Sequence, residues 1–337
     1  MKASESDGRT PPQAITLRDV ARASGVSTAS ASRALAGERA VTAELRSRIL
    51  AAAARLGYAT NVAARTLATG RSGLVGIVVQ TLADPLVANI LTACERRLAE
   101  SACGVMLATS RGSPEENLRA TYALLGRGAE ALVFAEFCAA AELARALAAR
   151  GVPWVSVAER ASAAGVPSFS VGRRQGAVLA ARYLQGLGHR RFAVIAHPDG
   201  DAADAVRQVL AAASLPVEVL DPVHDVDAAQ ATIGRLLEQD DPPTAVICAS
   251  DVQALAALRE CAIRKVAVPQ RLSVIGFGDA EFARRSYPAL STVRVAATEV
   301  GVRVAQAVLA RLKGDEFPVS DVAVKLIARE STGPALA

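Results

Sequence analysis

The sequence is poor in aromatic residues, in paired cysteines and in long apolar runs. Phe, Trp and Tyr make up 4% of the 337 residues, which argues against stacking platforms for single-stranded nucleic acid. The five cysteines are widely spaced and form no C-x-x-C pair, so neither a disulfide framework nor a cysteine zinc site is expected. No run of 18 apolar residues occurs, and a membrane span is therefore not predicted.

The usual signatures of secretion and of enzyme chemistry are also missing. Residues 1–13 are polar and lack the apolar stretch of a signal peptide. There is no G-x-G-x-x-G after a strand, no P-loop and no G-x-S-x-G elbow. The three histidines, His189, His197 and His224, have no metal-ligand spacing. We therefore expect a cytoplasmic protein that contacts no membrane, is not an enzyme and has no catalytic residue, metal or cofactor.

Positive charge is concentrated near the N-terminus. Residues 1–72 contain eleven Lys and Arg against five Asp and Glu, a net charge of +6, whereas the other 265 residues carry 27 against 28. A basic region attached to a neutral body is typical of a polyanion-binding segment. A basic tail without a partner is the alternative that charge alone leaves open.

The basic region has the pattern of short helices. Thr16 and Asp19 have the spacing of a capping box, and the helix that follows should end at Gly25. Two further helices are predicted over residues 27–37 and 42–57, each opened by a hydroxyl residue and closed by a glycine. This pattern predicts an all-α head.

The first two helices and the glycine between them are typical of a helix-turn-helix, whose second helix enters the major groove. Ser27, Thr28 and Ser30 lie at the start of that helix, where hydroxyls and backbone N–H groups can meet phosphates or base edges. Arg33 can reach a guanine edge or a backbone oxygen. An ordinary three-helix bundle with a solvated serine face is the alternative interpretation.

After Gly73 the pattern changes to apolar strands that alternate with helical stretches. One series covers residues 74–158 and a second, of similar size, covers 175–277. Alternation of this kind predicts parallel sheets covered by helices, here in two doubly wound lobes. The segment from Ser291 onward has to return across both lobes.

Several motifs resemble the lactose/galactose repressor (LacI/GalR) family. They are TLRDVARASGVSTASASRALAG at 16–37, LGYATNVAARTLATGRSGLVGIVV at 56–79, LGHRR at 187–191, ASD at 249–251, VPQRLSVIGF at 268–277 and PALSTV at 288–293. The resemblance extends over nearly the whole chain, and GFGDAEFA at 276–283 is similar to the gluconate-repressor branch. It implies an all-α helix-turn-helix head of three helices plus a hinge helix, joined to an α/β two-lobed core like that of periplasmic binding proteins.

The resulting domain prediction has four parts. They are a disordered tail (1–14), a helix-turn-helix domain (15–60), a hinge helix and linker (61–72) and an effector-binding and dimerisation core (73–337). Within the core, the N-lobe is predicted over about 73–170 plus 293–318, and the C-lobe over about 171–290 plus 319–332.

The resemblance also implies roles for residues of the head. Thr28 and Ala29 match the positions that set base preference, and Arg33 matches a third DNA-contacting position. Leu67 matches a leucine that the family wedges into the minor groove, where an apolar side chain unstacks a deformable base step. The predicted DNA-binding residues are Thr16, Ser27, Thr28, Ala29, Ser30, Ser32, Arg33, Asn61, Ala64 and Leu67.

A ligand of a two-lobed α/β core is expected between the lobes, near the carboxyl ends of strands. Polar residues that follow strands are therefore candidates, although each can instead cap a helix. The resemblance adds Arg207, which matches an arginine that clamps effectors. Gly172 and Arg173 replace a frequent Asp-Asn pair, a departure from the family pattern. The predicted effector-binding residues are Asp84, Leu86, Glu159, Arg207, Ser250, Asp251, Phe277 and Asp279.

Together these features imply a homodimeric transcriptional repressor that binds a pseudo-palindromic duplex operator. Its operator affinity would be controlled by a small-molecule effector, a sugar or a sugar acid, in the interlobe cleft. A regulator that is independent of ligand, or one that activates, is the first alternative. A solute-binding protein or an enzyme on the same core fold is a weaker one.

Overall fold

The protein consists of two compact units, Met1–Ser72 and Gly73–Ala337. The computed structural model describes residues 15–35, 41–58, 66, 70–110, 112–135, 140–159, 166–197, 201–221, 226–319 and 322–336. Among these residues, every helix is too short or too polar to span a bilayer.

The N-terminal unit, hereafter the head, contains the three predicted helices. They are α1 (Leu17–Ser24), α2 (Thr28–Leu35) and α3 (Ala43–Leu56). Gly25 and Gly57 end α1 and α3 in the left-handed conformation, each at φ 66°, where a side chain would be strained. The buried core of the head consists mainly of small side chains: Val20, Ala21, Ala31, Ala34, Ile49, Ala52 and Ala53. Alanines at these contacts let the helices approach one another closely.

The first lobe of the core is built on a parallel sheet with the strand order β2-β1-β3-β4-β5. In chain order its elements are β1 (Leu74–Val79), α4 (Pro85–Ala99), β2 (Gly104–Thr109), α5 (Pro114–Gly126), β3 (Ala129–Ala135), α6 (Ala141–Ala149), β4 (Trp154–Val157) and β5 (Ser168–Phe169). The central strands β1, β3 and β4 are almost wholly buried, as expected for a sheet covered on both faces.

The second lobe is built on a sheet with the strand order β11-β10-β9-β8-β6-β7, in which only the β10–β11 pair is antiparallel among the described strands. Its elements are α7 (Arg173–Gly186), β6 (Phe192–Ile195), α8 (Asp201–Ala211), β7 (Val217–Leu220), α9 (Val226–Leu237), β8 (Ala245–Cys248), α10 (Asp251–Ile263), β9 (Ser273–Gly278), β10 (Ser291–Val295) and β11 (Val324–Ile327). The predicted α/β alternation is confirmed. The two-residue strand β5 and a 3₁₀ turn at Glu281–Arg284 were not predicted.

The chain crosses between the lobes three times. After β5 it enters the second lobe at α7, after β10 it returns to pack helix α11 (Ala297–Arg311) on α4, and it then re-enters the second lobe at β11. The predicted return to the first lobe at about residue 293 is corrected by the sheet, because Val293 pairs with Phe277 of β9. The return therefore begins after Val295.

One buried apolar cluster extends through both lobes. It joins side chains of β1, α4 and α11 to side chains of α7, β6 and β9, including Leu86, Ile90, Ala177 and Phe277. The two lobes therefore meet over apolar surface, and some of these side chains also line the interlobe cleft.

Candidate nucleic-acid interface and interlobe cleft

The start of α1 is fixed by the predicted capping box. The Asp19 carboxylate accepts hydrogen bonds from the backbone N–H (3.0 Å) and the hydroxyl (2.6 Å) of Thr16. These two bonds hold the pKa of Asp19 below its usual value, and the bond from the hydroxyl has the larger effect. The predicted contact residue Thr16 therefore already uses its hydroxyl as a donor within the head.

Helix α2 has one buried face and one exposed face. Ser27 caps it, since its Oγ accepts from the Ser30 backbone N–H at 3.1 Å, and the two hydroxyls lie 2.9 Å apart. Ala31 and Ala34 are buried against the other helices of the head. The exposed face carries four of the predicted contact residues: Thr28, Ala29, Ser32 and Arg33. The structure thus separates the packing positions of α2 from its predicted reading positions.

The described part of the head is cationic. Over residues 15–35 and 41–58 it contains six arginines against Asp19 and Glu44. On α2, the Arg33 Nε donates to the Ala29 carbonyl oxygen at 3.3 Å, so this side chain lies along its own helix. Asn61, Ala64 and Leu67 lie outside the described residues, and their roles remain predictions.

The interlobe cleft contains two small chambers that share Arg173 and His197. The first-lobe chamber is lined by α4, β4 and the ends of neighbouring strands, including Leu86, Val87 and Glu159. The second-lobe chamber is lined by α7, β6, β8 and β9, including Phe277. Their volumes are ≈ 30 Å³ and ≈ 20 Å³, room for one or two water molecules each.

Three predicted effector residues line these chambers: Leu86, Glu159 and Phe277. Leu86 is buried in the apolar cluster, like Phe277. Glu159 accepts from the Ser170 hydroxyl (2.9 Å) and from the backbone N–H groups of Val171 (3.2 Å) and Arg173 (3.1 Å). Its carboxylate therefore holds the segment in which the chain crosses into the second lobe.

Asp251 lies at the start of α10 and is 2% exposed. Its carboxylate accepts from the Ala280 backbone N–H at 2.6 Å and from the Thr292 hydroxyl. Burial, with smaller contributions from the charges of Asp279 and Asp84, raises the pKa of Asp251 to about 6 despite these two hydrogen bonds. The preceding residue, Ser250, is the N-cap of α10 and accepts from the Gln253 N–H.

Asp279 forms a cluster with two arginines. Its carboxylate accepts from Arg329 Nη2 at 2.6 Å and from Arg294 Nε. Burial favours a higher pKa for Asp279, but the bonds from Arg329 and Arg294 outweigh it and hold this pKa below its usual value. Asp279 is thus a stable anion that joins the end of β9 to β10 and to the segment after β11.

The remaining two predicted effector residues are engaged within single helices. Asp84 caps α4, because its Oδ1 accepts from the Leu86 N–H at 2.8 Å. The Arg207 guanidinium is exposed and lies 3.1 Å from Asp204 of the same helix. Arg207 is not among the residues that line the two chambers.

Arg173 and His197 line both chambers but were not predicted as effector residues. A signal for each was present in the sequence. Arg173 shares a helical face with Gly176, Ala177 and Ala180, an apolar face that should pack inward. His197 directly follows an apolar strand, as the predicted acidic residues do. Among the described residues, no group of His, Cys, Asp and Glu is arranged to hold a metal ion.

A helix-turn-helix head and a two-lobed α/β core in one chain define the class of DNA-binding transcriptional regulators. The family model for bacterial regulatory proteins of the lacI family matches residues 16–61, and that of the periplasmic binding protein-like domain matches residues 181–332. The HTH-type transcriptional regulator GntR of Pseudomonas aeruginosa is 32% identical over 330 residues, 94% of this chain and 95% of that protein. The chain belongs to the LacI family of bacterial regulatory proteins.

Solved structures agree with this assignment. The lac repressor dimer bound to operator and the anti-inducer ONPF has a TM-score of 0.80 at 24% identity, covering 95% of this chain and all of that one; this likeness supports the fold. The complex of the transcriptional regulator CelR with cellobiose has a TM-score of 0.68 at 27% identity, covering 94% of this chain and 99% of that one. The predicted family and fold class are confirmed.

Proposed function

We propose that this chain is a homodimeric repressor that binds a pseudo-palindromic duplex operator, with an affinity set by a small molecule in the interlobe cleft. The exposed face of α2 carries this proposal. Thr28, Ala29, Ser32 and Arg33 are all exposed on one helix, and that helix is held in place by the buried Ala31 and Ala34. A short helix that follows a glycine turn and presents such a face fits the major groove.

Each residue of this face has a distinct role. Arg33 supplies a guanidinium for a guanine edge or a phosphate, and the hydroxyls of Thr28 and Ser32 supply further hydrogen bonds. Ala29 has no polar atom and contacts a thymine methyl group. Ser27 and Ser30 order the start of the helix, where backbone N–H groups meet a phosphate. Thr16 acts by fixing the start of α1, since its hydroxyl and its backbone N–H are both bound to Asp19.

A single head offers few base contacts, so two copies reading two half-sites account better for specificity. In this arrangement Asn61, Ala64 and Leu67 form the hinge segment, and Leu67 opens a base step at the centre of the operator. These hinge roles rest on the resemblance in sequence.

In this proposal the core binds a ligand and catalyses no reaction, and it needs no metal or cofactor. The protein acts in the cytoplasm. Sugars and sugar acids are the first effectors to consider. The solved structure of the regulator CelR is a complex with cellobiose, and a relative from Haemophilus influenzae is named the ribose operon repressor. An effector changes operator affinity only through a different affinity for two arrangements of the lobes.

The test begins with selection of bound sites from random duplex DNA by the full chain. We expect an inverted repeat, and binding measured by fluorescence anisotropy should show clear preference over scrambled DNA. Arg33→Ala should lose about 1–3 kcal/mol of that preference. The matched control is Arg22→Ala, which removes the same charge from an exposed position on α1 and should leave the preference unchanged. No preference for any duplex over bulk DNA would contradict the proposal.

A regulator that does not respond to ligand is the second candidate. It is favoured by the small chambers and by the internal hydrogen bonds that engage the predicted acidic residues. The two candidates differ in one measurement, which is operator affinity with and without the compounds tested below.

A further inference from the structure

The polar residues predicted to hold a sugar are largely engaged by the protein itself. The carboxylates of Asp251 and Asp279 each accept two hydrogen bonds from the second lobe. Asp84 and Ser250 cap helices, and Arg207 pairs with Asp204 on an exposed helix face. These groups hold strand ends and helix starts together. A ligand that recruited them would have to break bonds that the fold uses.

The lining of the two chambers is mainly apolar. Its described residues are aliphatic side chains, glycines and Phe277, except for Arg173, His197, Glu159 and the thiol of Cys248. A hydroxyl that is buried without a hydrogen-bond partner loses its bonds to water and is unfavourable. Against these described residues, a sugar with several hydroxyls would therefore leave many of them unsatisfied, whereas an apolar carbon skeleton would gain from burial.

Arg173 supplies a permanent positive charge where the two chambers meet. The residue is 6% exposed, and its guanidinium cannot deprotonate in a protein. One Nη donates to the Ala249 carbonyl oxygen at 3.0 Å, and the guanidinium carbon lies 5.2 Å from the centre of the Phe277 ring. These two contacts fix the orientation of the guanidinium. Among the described residues of the lining, the acidic side chain is Glu159, and it is bound by three donors of the 170–173 segment.

We infer that the effector of this cleft carries one carboxylate, bound by Arg173, on a mainly apolar carbon skeleton that packs against the apolar lining of the two chambers. This inference rests on the proposed function, because it names the ligand of the same site. A carboxylate matches the planar fork of a guanidinium by two parallel hydrogen bonds. A phosphate dianion would bring a second charge to a lining whose described residues offer only His197 as another basic group.

The small volume of the chambers connects ligand binding to the arrangement of the lobes. Room for one or two waters in each chamber is less than a six-carbon acid occupies. Such a ligand therefore binds an arrangement in which the apolar faces of the two lobes have separated. A ligand that prefers one arrangement shifts the protein toward it, which is the condition for control of the head.

The experiment uses calorimetric titration and thermal melting of the full chain with pairs of matched compounds. Hexanoate and benzoate are compared with hexanamide and benzamide, and gluconate and glucose are included. We expect each acid to bind about tenfold more tightly than its amide, a difference of about 1.4 kcal/mol, and to raise the melting temperature. Gluconate and glucose should bind more weakly than either acid.

Three variants locate the carboxylate. Arg173→Gln should abolish the preference for acid over amide, while Arg173→Lys should keep part of it. Arg174→Gln is the matched control, since Arg174 is an exposed arginine on the same helix that donates to Gln208, and it should behave as the unaltered protein does. The acid-to-amide ratio of the unaltered chain provides a test even where Arg173→Gln fails to fold.

The outcomes separate this inference from the proposed function. Equal binding of acids and amides, no binding of any acid, tighter binding of glucose or gluconate, or an unchanged preference in Arg173→Gln would each overturn the inference. If a sugar controlled operator affinity, the proposed function would be supported and the inference of a carboxylate effector would be wrong. An acid that binds through Arg173 but leaves operator affinity unchanged would support the carboxylate site at Arg173, and it would remove the effector role both from this inference and from the proposed function.

Discussion

Replacement of Asp251 by asparagine should remove a pH-dependent penalty from the stability of the core. The Asp251 carboxylate is buried between the Ala280 N–H and the Thr292 hydroxyl. Asparagine has nearly the same shape, and its carbonyl oxygen can still accept from Ala280. Its amide group can donate to the Thr292 oxygen, which is both a donor and an acceptor. The substitution therefore removes the charge and keeps the contacts.

The size of the penalty follows from the pKa of Asp251 in the folded protein, about 6, against its usual value of 3.8. Because this pKa is raised, the folded state binds the proton more tightly, and stability falls as the pH rises from 3.8 through 6. The full difference corresponds to about 3 kcal/mol, at 1.36 kcal/mol for each pKa unit. About half of it, on the order of 1 kcal/mol, develops between pH 5 and pH 7.5.

The assay is denaturant unfolding of the full chain at pH 5, 6 and 7.5, followed by a signal of the core. Asp251→Asn should be more stable than the unaltered protein at pH 7.5, and this advantage should shrink by about 1 kcal/mol at pH 5. Other titrating groups change both proteins alike, so the difference between the two isolates Asp251. An advantage that stays constant across the three pH values would refute the reasoning.

Three further predictions concern packing, an ion cluster and a buried histidine. Gly301→Ala should destabilise the core by about 1–3 kcal/mol in thermal or urea unfolding, because a Cβ there would meet α4, 2.8 Å from the Ala93 Cβ; Gly126→Ala, with no atom within 4 Å, is the neutral control. Asp279→Asn should cost about 3 kcal/mol, since Arg329, with its side chain 15% exposed, loses its anion. Because the pKa of Asp279 is lowered in the folded protein, the stability that its carboxylate confers is present above its usual pKa and is lost as the pH falls. If Asp279→Asn lost as much stability at low pH as the unaltered protein, this prediction would be wrong. His189→Gln should lessen the loss of stability below pH 6.5, because burial lowers the pKa of His189 and the folded state favours its neutral form. If urea unfolding below pH 6.5 showed the same loss of stability in the variant, this prediction would be wrong.

Much of the architecture could be predicted because the local signals agree with the tertiary fold. The capping box of Thr16 and Asp19 and the glycine at the end of α1 act within a few residues, and both are present. The alternation of apolar strands with helices is likewise a consequence of burial on both faces of each sheet. The two-residue strand β5 could not be predicted, since two residues show no periodicity and its pairing depends on β4.

The effector residues were harder to predict for a physical reason. The carboxyl end of a strand in an α/β fold is also the start of the next helix, where the same polar side chains act as caps. Asp84 and Ser250 follow strands and are caps, so position alone does not separate a ligand contact from a structural one. The role of such a residue depends on the partners that the fold brings to it from distant parts of the sequence, as Thr292 is brought to Asp251.

The crossing segment between β5 and α7 links the candidate ligand contact to the motion of the lobes. Glu159 of the first lobe accepts from the backbone of Val171 and Arg173, while the Arg173 guanidinium is held by Ala249 and Phe277 of the second lobe. One residue thus joins the two lobes through its backbone and its side chain. A ligand carboxylate on this guanidinium would lie where the two chambers meet, and each chamber has room for only one or two waters in this arrangement of the lobes. A ligand bound there therefore has unequal affinity for the two arrangements, which is what control of the head requires.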